Sequence, residues 1–584
     1  MLKLFKNLEK KDYIFAFIAG IFIIVQVWLE LKMPDYMSEI TILVQTEGSK
    51  MSEILRNGGH MILCAFGSFL SAIVVGYIVA NVSASFSLHT RKKLFNKIEK
   101  LSMDDIKSFN TSSLITRTTN DITQIMMFLA LGMQMLIKSP VTAVWAITKI
   151  SNKSFEWSLI TAIAVVILLS MVIITMFMVV PKFKKLQKLT DRVNGITREQ
   201  LNGIRVVRAF NAEKFQEDKF STVNDDLTNT QLFVQKRFAL FSPIMYLVMY
   251  FLTLSIYFIG AQIIEGALLS EKIKIFGDMI VFSSYAMQII MSFLMLAMIF
   301  MILPRAKVSA SRINEVLDTD IKIKKGKKTT SKETCTVEFK NVSFKYPDAE
   351  EYILKDISFV AKKGETVAFI GSTGSGKSTL VNLIPRFYDA TKGEVLVDGV
   401  NVKEYDFKAL NNRLGYVPQK AVIFNGTIKE NVSYGESKEE IDDKQIKKAI
   451  EIAEAKEFVE KMDKGYDSVI AASGTNISGG QKQRISIARA IARNPEIYIF
   501  DDTFSALDYK TDSKLRKNLK KYAKDSCILI VAQRIGTIMN ADKIVVLDKG
   551  KCVGIGTHKE LLKTCEVYKE IALSQLSKGE LENA

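Results

Sequence analysis

The chain has 584 residues, of which 48% are hydrophobic, and its mean hydropathy is positive. This length exceeds that of one domain, and the hydrophobic share is high for a soluble protein. The net charge of +17 would suit nucleic-acid binding, but the basic residues are placed as in a membrane protein, which argues against that class.

Six apolar runs in the first half are long enough to cross a bilayer core of about 30 Å. The basic N-terminus is followed by an apolar run without a small-residue cleavage site, so this run is predicted to be a retained span. Polar segments at 83–125 and 181–237 have a helical pattern and are predicted to extend the spans beyond the lipid. The predicted spans are 13–32, 59–82, 126–148, 157–180, 238–262 and 276–303.

Basic residues indicate which ends of the spans face the cytoplasm. Lysine and arginine are frequent in the N-terminal tail, in 83–125 and at the start of 181–237, whereas the predicted loop 33–58 mixes acidic and basic residues. The N-terminus, the long segments and the C-terminal half are therefore predicted to be cytoplasmic. The protein is predicted to be a multi-pass protein of the cell membrane, with the lipid bilayer and no nucleic acid as partner.

Two features inside the spans suggest functional positions. Lys138 lies near the middle of the third span, where a charge is costly. It is expected to face protein or a water-filled cavity, unless Pro140 bends the helix and the lysine reaches the interface.

In the sixth span, methionines recur on one helix face. That face either packs against helices or lipid, or offers a pliable surface to varied apolar substrates. The methionines are Met287, Met291, Met295 and Met298.

A charged segment at 305–335 connects the two halves of the chain. Its first part has a helical pattern, and its end, KKGKKTTSKET, is predicted to be an exposed linker.

The stretch GSTGSGKST follows an apolar strand, TVAFI, and precedes a helical pattern. In this strand–loop–helix setting, G-x-x-x-x-G-K-S binds nucleotide phosphates. Glycines let backbone N–H groups close around a phosphate, and the helix N-terminus adds partial positive charge. Lys377 can reach the β- and γ-phosphates, and Ser378 can coordinate Mg²⁺. ATP and Mg²⁺ are therefore the predicted cofactors. The predicted phosphate-loop residues are Gly371, Ser372, Thr373, Gly374, Ser375, Gly376, Lys377, Ser378 and Thr379.

The apolar run IYIF ends in two adjacent carboxylates, Asp501 and Asp502. Such a run is typical of a buried strand that delivers acidic groups to the edge of a sheet. Beside a phosphate loop, Asp501 is the expected second ligand of Mg²⁺.

Further motifs resemble those of ATP-binding-cassette (ABC) transporters. ISGGQKQRISIARA (477–490) resembles their signature and SALD (505–508) their D-loop. YVPQ (416–419) resembles their Q-loop and FKYPD (344–348) their adenine-stacking loop. The cytosolic stretches 116–125 and 201–215 resemble exporter intracellular loops. With six preceding spans, the chain resembles an exporter-type half-transporter.

The resemblance implies roles for residues that lie far apart in the chain. Tyr346 is expected to stack on adenine, and Gln419 to contact Mg²⁺ or its water. The signature and the D-loop aspartate are expected to serve a nucleotide held by a partner cassette. Because the chain has one phosphate loop, it is expected to dimerise. The residues on the partner-facing side are Ser478, Gly479, Gly480, Gln481 and Asp508.

The resemblance also implies a fold class and domain boundaries. Residues 1–310 are expected to form an all-α transmembrane domain of six helices with long cytosolic extensions. Residues 311–335 would be a linker, and 336–584 an α/β P-loop NTPase domain with a helical signature subdomain.

Three positions depart from the family pattern. Asp502 replaces the glutamate that polarises the attacking water, and its carboxylate is one methylene shorter. Gln533 replaces the switch histidine and cannot become cationic. AASGTN (471–476) replaces a stretch that contains glutamate. Since two departures fall at the γ-phosphate, the chain resembles the degenerate-site subunit of a heterodimeric multidrug exporter, which binds ATP well and cleaves it poorly.

The leading functional hypothesis is ATP-driven export of small amphipathic or hydrophobic compounds, multidrug or lipid-like, together with a second half-transporter. An ATP-gated channel or regulatory membrane protein is a rival, because a degenerate site suits slow gating. A third possibility is an importer with an exporter-type fold.

Overall fold

The computed structural model describes residues 1–46, 48–151, 155–331, 333–347, 349–436, 440–471 and 474–575. They divide into two compact units. The first comprises Met1–Glu99 and Asn110–Thr319, and the second comprises Lys100–Phe109 with the described residues of Asp320–Ala584.

The first unit is built from helices. In chain order they are α1 (Leu2–Phe5), α2 (Lys10–Gln45), α3 (Met51–Ile98), α5 (Thr111–Thr118), α6 (Asn120–Ile150), α7 (Phe155–Ala209), α8 (Glu213–Ala239), α9 (Phe241–Gly266) and α10 (Leu269–Asp318), while α4 (Met103–Phe109) belongs to the second unit.

Six helical segments of the described chain are long and apolar enough to cross a membrane, and they contain the six predicted spans. They are Lys10–Gln45, Met51–Ile98, Thr111–Ile150, Phe155–Ala209, Glu213–Gly266 and Glu271–Asp318. Several extend far beyond the roughly 20 residues that a bilayer core needs. The predicted helical extensions are therefore present.

The predicted loop at 33–58 differs from the structure. Helix α2 continues to Gln45 and α3 begins at Met51, so only a short connection separates them. Pro34 lies inside α2. Helix α6 likewise runs through Pro140 without a break. Membrane helices tolerate proline because neighbouring groups satisfy the freed backbone carbonyl.

The second unit contains a six-stranded sheet in the order β12–β11–β3–β10–β9–β6 and a four-stranded sheet in the order β2–β1–β4–β5. The strands are β1 (Val337–Phe344), β2 (Leu354–Ala361), β3 (Thr366–Gly371), β4 (Lys392–Val397), β5 (Val400–Asn401), β6 (Leu414–Val417), β7 (Gly426–Thr427), β8 (Val469–Ile470), β9 (Ile497–Asp501), β10 (Cys527–Val531), β11 (Lys543–Asp548) and β12 (Lys551–Gly556).

In the described residues of the second unit, ten further α-helices accompany the sheets. They are α11 (Lys377–Asn382), α12 (Phe407–Asn411), α13 (Ile428–Val432), α14 (Asp443–Ile452), α15 (Lys456–Glu460), α16 (Gly479–Ala492), α17 (Tyr509–Tyr522), α18 (Ile535–Ile538), α19 (His558–Thr564) and α20 (Glu566–Leu573).

Two hydrophobic cores cover the two faces of the six-stranded sheet. In β9, Ile497 and Ile499 belong to the core shared with the four-stranded sheet. Tyr498 and Phe500 belong to the core shared with the helices. Alternation between faces follows from the two-residue repeat of a strand, and a parallel strand covered on both sides is apolar throughout. The predicted fold class, an all-α membrane region followed by an α/β domain, is confirmed.

The connecting segment pairs with the second unit. Gly326 N–H donates to the Tyr405 carbonyl at 3.0 Å, and the N–H groups of Lys327 and Lys328 both donate to the Glu404 carbonyl at 2.9 Å. The lysine side chains of KKGKKTTSKET that the structure describes are exposed. The charged side chains of this segment are therefore exposed, while hydrogen bonds to Glu404 and Tyr405 fix its backbone.

Candidate nucleotide-binding site

Four neighbouring parallel strands, β6, β9, β10 and β3, bring the predicted site residues to one edge of the sheet. Parallel strands end on the same side, so the residues that follow them lie close together. The phosphate loop follows β3, and Asp501 ends β9. Gln419 and Gln533 follow β6 and β10 by two residues each.

The phosphate loop requires glycine at the position where it joins α11. Gly376 caps α11 with φ 97°, a left-handed conformation that other residues rarely adopt. A Cβ there would lie 2.8 Å from a Leu354 methyl carbon. Lys377 Nζ donates to the carbonyl oxygens of Gly371 and Ser372 at 2.8 Å each. The ammonium is thus held at the centre of its own loop.

Burial lowers the pKa of Lys377, while the charges of Asp502 and Asp501 act in the opposite direction. A cation held in a partly dry loop of carbonyls favours anionic ligands, because Coulomb attraction strengthens as solvent is excluded. This supports the predicted contact with phosphates.

The two predicted magnesium ligands contact each other. Ser378 Oγ donates to Asp501 Oδ1 at 2.7 Å. Asp501 is buried, and its burial raises the pKa of the carboxyl. A buried acid beside a hydroxyl fits Mg²⁺, which takes hard oxygen ligands and commonly binds through one or two protein groups plus phosphates and water. When bound, the ion would neutralise charge on the phosphates.

Asp502 is restrained by two amide side chains. Its Oδ2 accepts from Gln533 Nε2 at 2.7 Å and from Gln419 Nε2 at 3.2 Å. Its backbone is in the left-handed region, with φ 45°. The structure therefore brings together the two positions that depart from the family pattern, and Gln419, predicted to contact Mg²⁺ or its water, donates to Asp502. Gln533 directs a neutral donor at the carboxylate.

A residue that the sequence analysis missed holds the loop after β10. Gln575, at the end of the described chain, donates from Nε2 to the Gln533 carbonyl and accepts at Oε1 from Ile535 N–H, both at 2.8 Å. No sequence motif identifies Gln575, because its partners are backbone atoms, which are the same in every residue type that could stand there.

The predicted adenine platform lies beside the phosphate loop. Tyr346 OH is 3.1 Å from Thr379 Oγ1, and the ring packs edge-on against Phe344 and Tyr388. Lys107, on α4, lies over the Tyr346 ring at 5.3 Å and donates to Tyr388 OH at 3.0 Å. Lys107 was also missed, because its partners are far away in sequence. The neighbouring Asp348 lies outside the described residues.

The signature residues form their own local group at the start of α16. Ser478 Oγ accepts from Gln481 N–H, and Gln481 Oε1 accepts from Ser478 N–H at 2.8 Å. Gly479 and Gly480 form the first turn. Asp508 caps α17 by accepting from Thr511 N–H. Among the described residues, no hydrogen bond joins this group to the phosphate loop.

The third departure from the family pattern is only partly described, since residues 472–473 of AASGTN lie outside the described chain. Asn476 closes this turn: its Oδ1 accepts from Ala471 N–H at 3.0 Å. Its amide also donates to the Val469 carbonyl.

Lys138 faces protein, as one of the two alternatives predicted. Its Nζ is 2.9 Å from Oε1 of Glu30, on the first span. A second pair joins Lys149 to Asp35, and Tyr285 OH also donates to Asp35. Glu30 was not predicted as a functional position, although an acid in an apolar span requires a partner and is visible in the sequence.

Two of the four methionines on the predicted face of α10 are turned away from the core of the first unit. Met291 and Met298 are 44% and 41% exposed. Tyr285 and Ile289, on the opposite side of α10, are fully buried. Met287 and Met295 are partly buried, so packing against the chain's own helices accounts for part of the face. Lipid, substrate or a partner subunit can contact Met291 and Met298.

Comparison with protein families gives two matches. The family "ABC transporter" matches residues 354–505. The family "ABC transporter transmembrane region" matches residues 16–293.

Curated relatives cover nearly the whole chain. An uncharacterized ABC transporter ATP-binding protein of Mycobacterium tuberculosis (strain H37Rv) is 38% identical over 88% of this chain and 87% of its own. Another from Bacillus subtilis is 34% identical over 96% of both chains. An ATP-dependent lipid A-core flippase of Pseudomonas putida is 31% identical over 86% of this chain and 82% of its own.

Among solved structures, a bacterial Atm1-family ABC exporter with ATP bound superposes with a TM-score of 0.83. It is 23% identical and covers 98% of this chain and 100% of its own. At this identity the likeness describes the fold.

Proposed function

We propose that this chain, which belongs to the ABC transporter family, is the ATP-holding subunit of a two-chain exporter. As a family member it is an ATPase-coupled transporter of the cell membrane, with a cytosolic ATP-binding domain. The proposal adds that its own site hydrolyses ATP weakly, and that its signature serves a competent site on a partner.

The contact between Asp502 and Gln533 carries the proposal. A general base must lie within about 2.6–3.2 Å of the proton it removes. Asp502 is one methylene shorter than the family's glutamate, and amides of Gln533 and Gln419 occupy its Oδ2. Neither amide can supply the positive charge of a protonated histidine at the γ-phosphate. Binding groups are intact while the groups that activate water are weakened.

The intact signature supports a second subunit. Ser478 and Gln481 cap α16 reciprocally, and Gly479 leaves open space at its first turn, where a Cβ would meet no atom within 4 Å. Backbone N–H groups at the start of a helix of this length favour an anion. The chain has one phosphate loop, so this second anion-binding feature is best used by a nucleotide on another cassette.

Amphipathic or hydrophobic compounds are the proposed substrates. The exposed methionines of α10 offer polarizable, adaptable contact to varied apolar groups. The similarity to lipid A-core flippases, at 31% identity, favours lipid-like molecules within this class.

The isolated full-length chain is expected to bind Mg-ATP but to hydrolyse it slowly. The double variant Asp502→Glu with Gln533→His is expected to turn over faster than either single variant, because base and cation act together. Steady-state ATPase rates and equilibrium nucleotide binding of the purified chain measure this. One misplaced electrostatic group costs about 10²–10³ in rate. Rapid turnover by the unmodified chain would contradict the proposal.

Replacing Met291 and Met295 with alanine tests the substrate path. If this face contacts substrate, the substrate-stimulated ATPase rate of the complex falls more than the basal rate. The matched control is Leu247→Ala with Leu254→Ala, two exposed apolar residues of α9. An equal fall in both rates would indicate that the methionines only pack.

A further inference from the structure

Helix α2 carries two carboxylates whose hydrogen bonding differs. Asp35 has both oxygens engaged: Oδ1 accepts from Tyr285 OH at 2.6 Å, and Oδ2 from Lys149 Nζ at 2.8 Å. These contacts tie α2 to α10 and α6. A carboxylate satisfied on both oxygens by fixed side chains serves the packing of three helices.

Among the residues that the structure describes, Glu30 accepts hydrogen bonds on one oxygen only. Its Oε1 accepts from Lys138 Nζ and Gln26 Nε2 at 2.9 Å each, and from Ser68 Oγ at 3.2 Å. Within the part of the chain that the structure describes, no hydrogen bond is made to Oε2. Lys138 uses one of its three N–H donors in the same set of contacts. The pair therefore keeps both accepting and donating capacity.

The remaining acceptor of Glu30 and the remaining donors of Lys138 are accessible to a ligand. The side chains of Lys138 and Glu30 are 25% and 26% exposed in the single chain. Glu30 lies roughly 25 Å from Tyr13 along the axis of α2, at about 1.5 Å per residue. Since the N-terminus is cytoplasmic, this depth is in the outer half of the membrane. Polar groups left without partners there are costly, so the remaining donors and acceptors require a ligand or water.

The charge of the pair selects the kind of ligand. Glu30 and Lys138 are neutral together, and a ligand with a single net charge would leave that charge uncompensated among apolar helices. A zwitterion avoids this cost: its ammonium donates to Glu30 Oε2, and its anionic group accepts from Lys138. The two dipoles then lie antiparallel, and every charge has an opposite neighbour.

We propose that Glu30 and Lys138 form a binding site for the head group of a zwitterionic amphiphile with a primary ammonium and a phosphate or carboxylate. This inference rests on the proposed export of amphiphiles and specifies their chemistry. The head group comes either from an aminophospholipid or from an amphipathic peptide with free termini. Gln26 and Ser68 are positioning residues, because they hold Glu30 Oε1 and leave Oε2 free.

Transport by the complex co-purified with the tagged full-length chain and reconstituted in liposomes tests the site. The probes share one fluorescent acyl chain and differ in head group: phosphatidylethanolamine, phosphatidylcholine, phosphatidylglycerol and a cationic dialkylammonium lipid. A zwitterionic amphipathic peptide distinguishes the two sources. The unmodified complex is expected to move phosphatidylethanolamine or the peptide fastest. Phosphatidylcholine is slower because its ammonium has no N–H.

Opposite changes in selectivity are expected from the two single variants. Glu30→Gln leaves Lys138 unpaired, so preference shifts about tenfold toward the anionic lipid, about the value of one charge-assisted contact. Lys138→Gln leaves Glu30 unpaired, so preference shifts toward the cationic lipid. The control Asp35→Asn disrupts helix packing and is expected to slow all probes alike.

Equal slowing of every head group by Glu30→Gln and Lys138→Gln would overturn the site and leave an exporter with a structural ion pair. Failure of the unmodified complex to move any amphiphile would instead overturn the proposed function.

Discussion

Gly480→Glu in this chain is expected to reduce ATP turnover of the two-chain complex by at least about a hundredfold, whereas Asp502→Asn leaves it nearly unchanged. In the proposed two-chain complex, the glutamate places bulk and negative charge at the first turn of α16, against the γ-phosphate bound by the partner. Loss of a well-placed electrostatic contact commonly costs 10²–10³ in rate. Because the site of Asp502 is proposed to hydrolyse ATP poorly, removing its charge is expected to change little.

Gly480→Ala is the matched control. A Cβ at Gly480 would meet the Ala506 carbonyl at 3.4 Å, which is tight but tolerable. Alanine therefore reports the effect of a Cβ alone, and the glutamate adds further bulk and charge. Turnover of the complex is measured with each variant at equal protein and saturating Mg-ATP. Loss of ATP turnover with Asp502→Asn would contradict the division of roles between the two sites. Normal ATP turnover with Gly480→Glu would contradict it as well.

Lys377→Ala is expected to weaken Mg-ATP binding by this chain about a hundredfold. The ammonium is held at the centre of the phosphate loop by the Gly371 and Ser372 carbonyls. The proposed contacts of Lys377 with phosphate would be charge-assisted in a partly dry site, and each tenfold in affinity corresponds to about 1.4 kcal/mol. Equilibrium binding of a fluorescent ATP analogue to the purified chain measures the loss.

Lys363→Ala removes an equal charge from an exposed position of the same unit and serves as the control. Only the substitution of Lys377 is expected to weaken Mg-ATP binding, because a surface charge such as that of Lys363 is screened by salt. Affinity of the Lys377→Ala chain within twofold of the unmodified chain would show that the loop does not bind phosphate in the proposed way.

Membrane spans and the phosphate loop were predictable from the sequence because their causes are local. A bilayer imposes a minimum length of contiguous apolar residues, and six runs satisfied it. The loop needs a strand, glycines and a lysine in immediate succession. The alternation of β9 between two cores likewise follows from a run that is apolar at every position. Each of these features can be recognised within a few dozen residues.

Contacts between distant residues were decided by the tertiary structure. The sequence identified Asp502 and Gln533 as unusual, but only the pairing of β9 with β10 places the amide 2.7 Å from the carboxylate. Gln575 could not be found, because it binds backbone atoms. Lys138 was recognised as costly, yet its partner Glu30 depends on how α2 and α6 pack. Spacing along a chain determines local structure, whereas the partner of a charge is set by which helices and strands become neighbours.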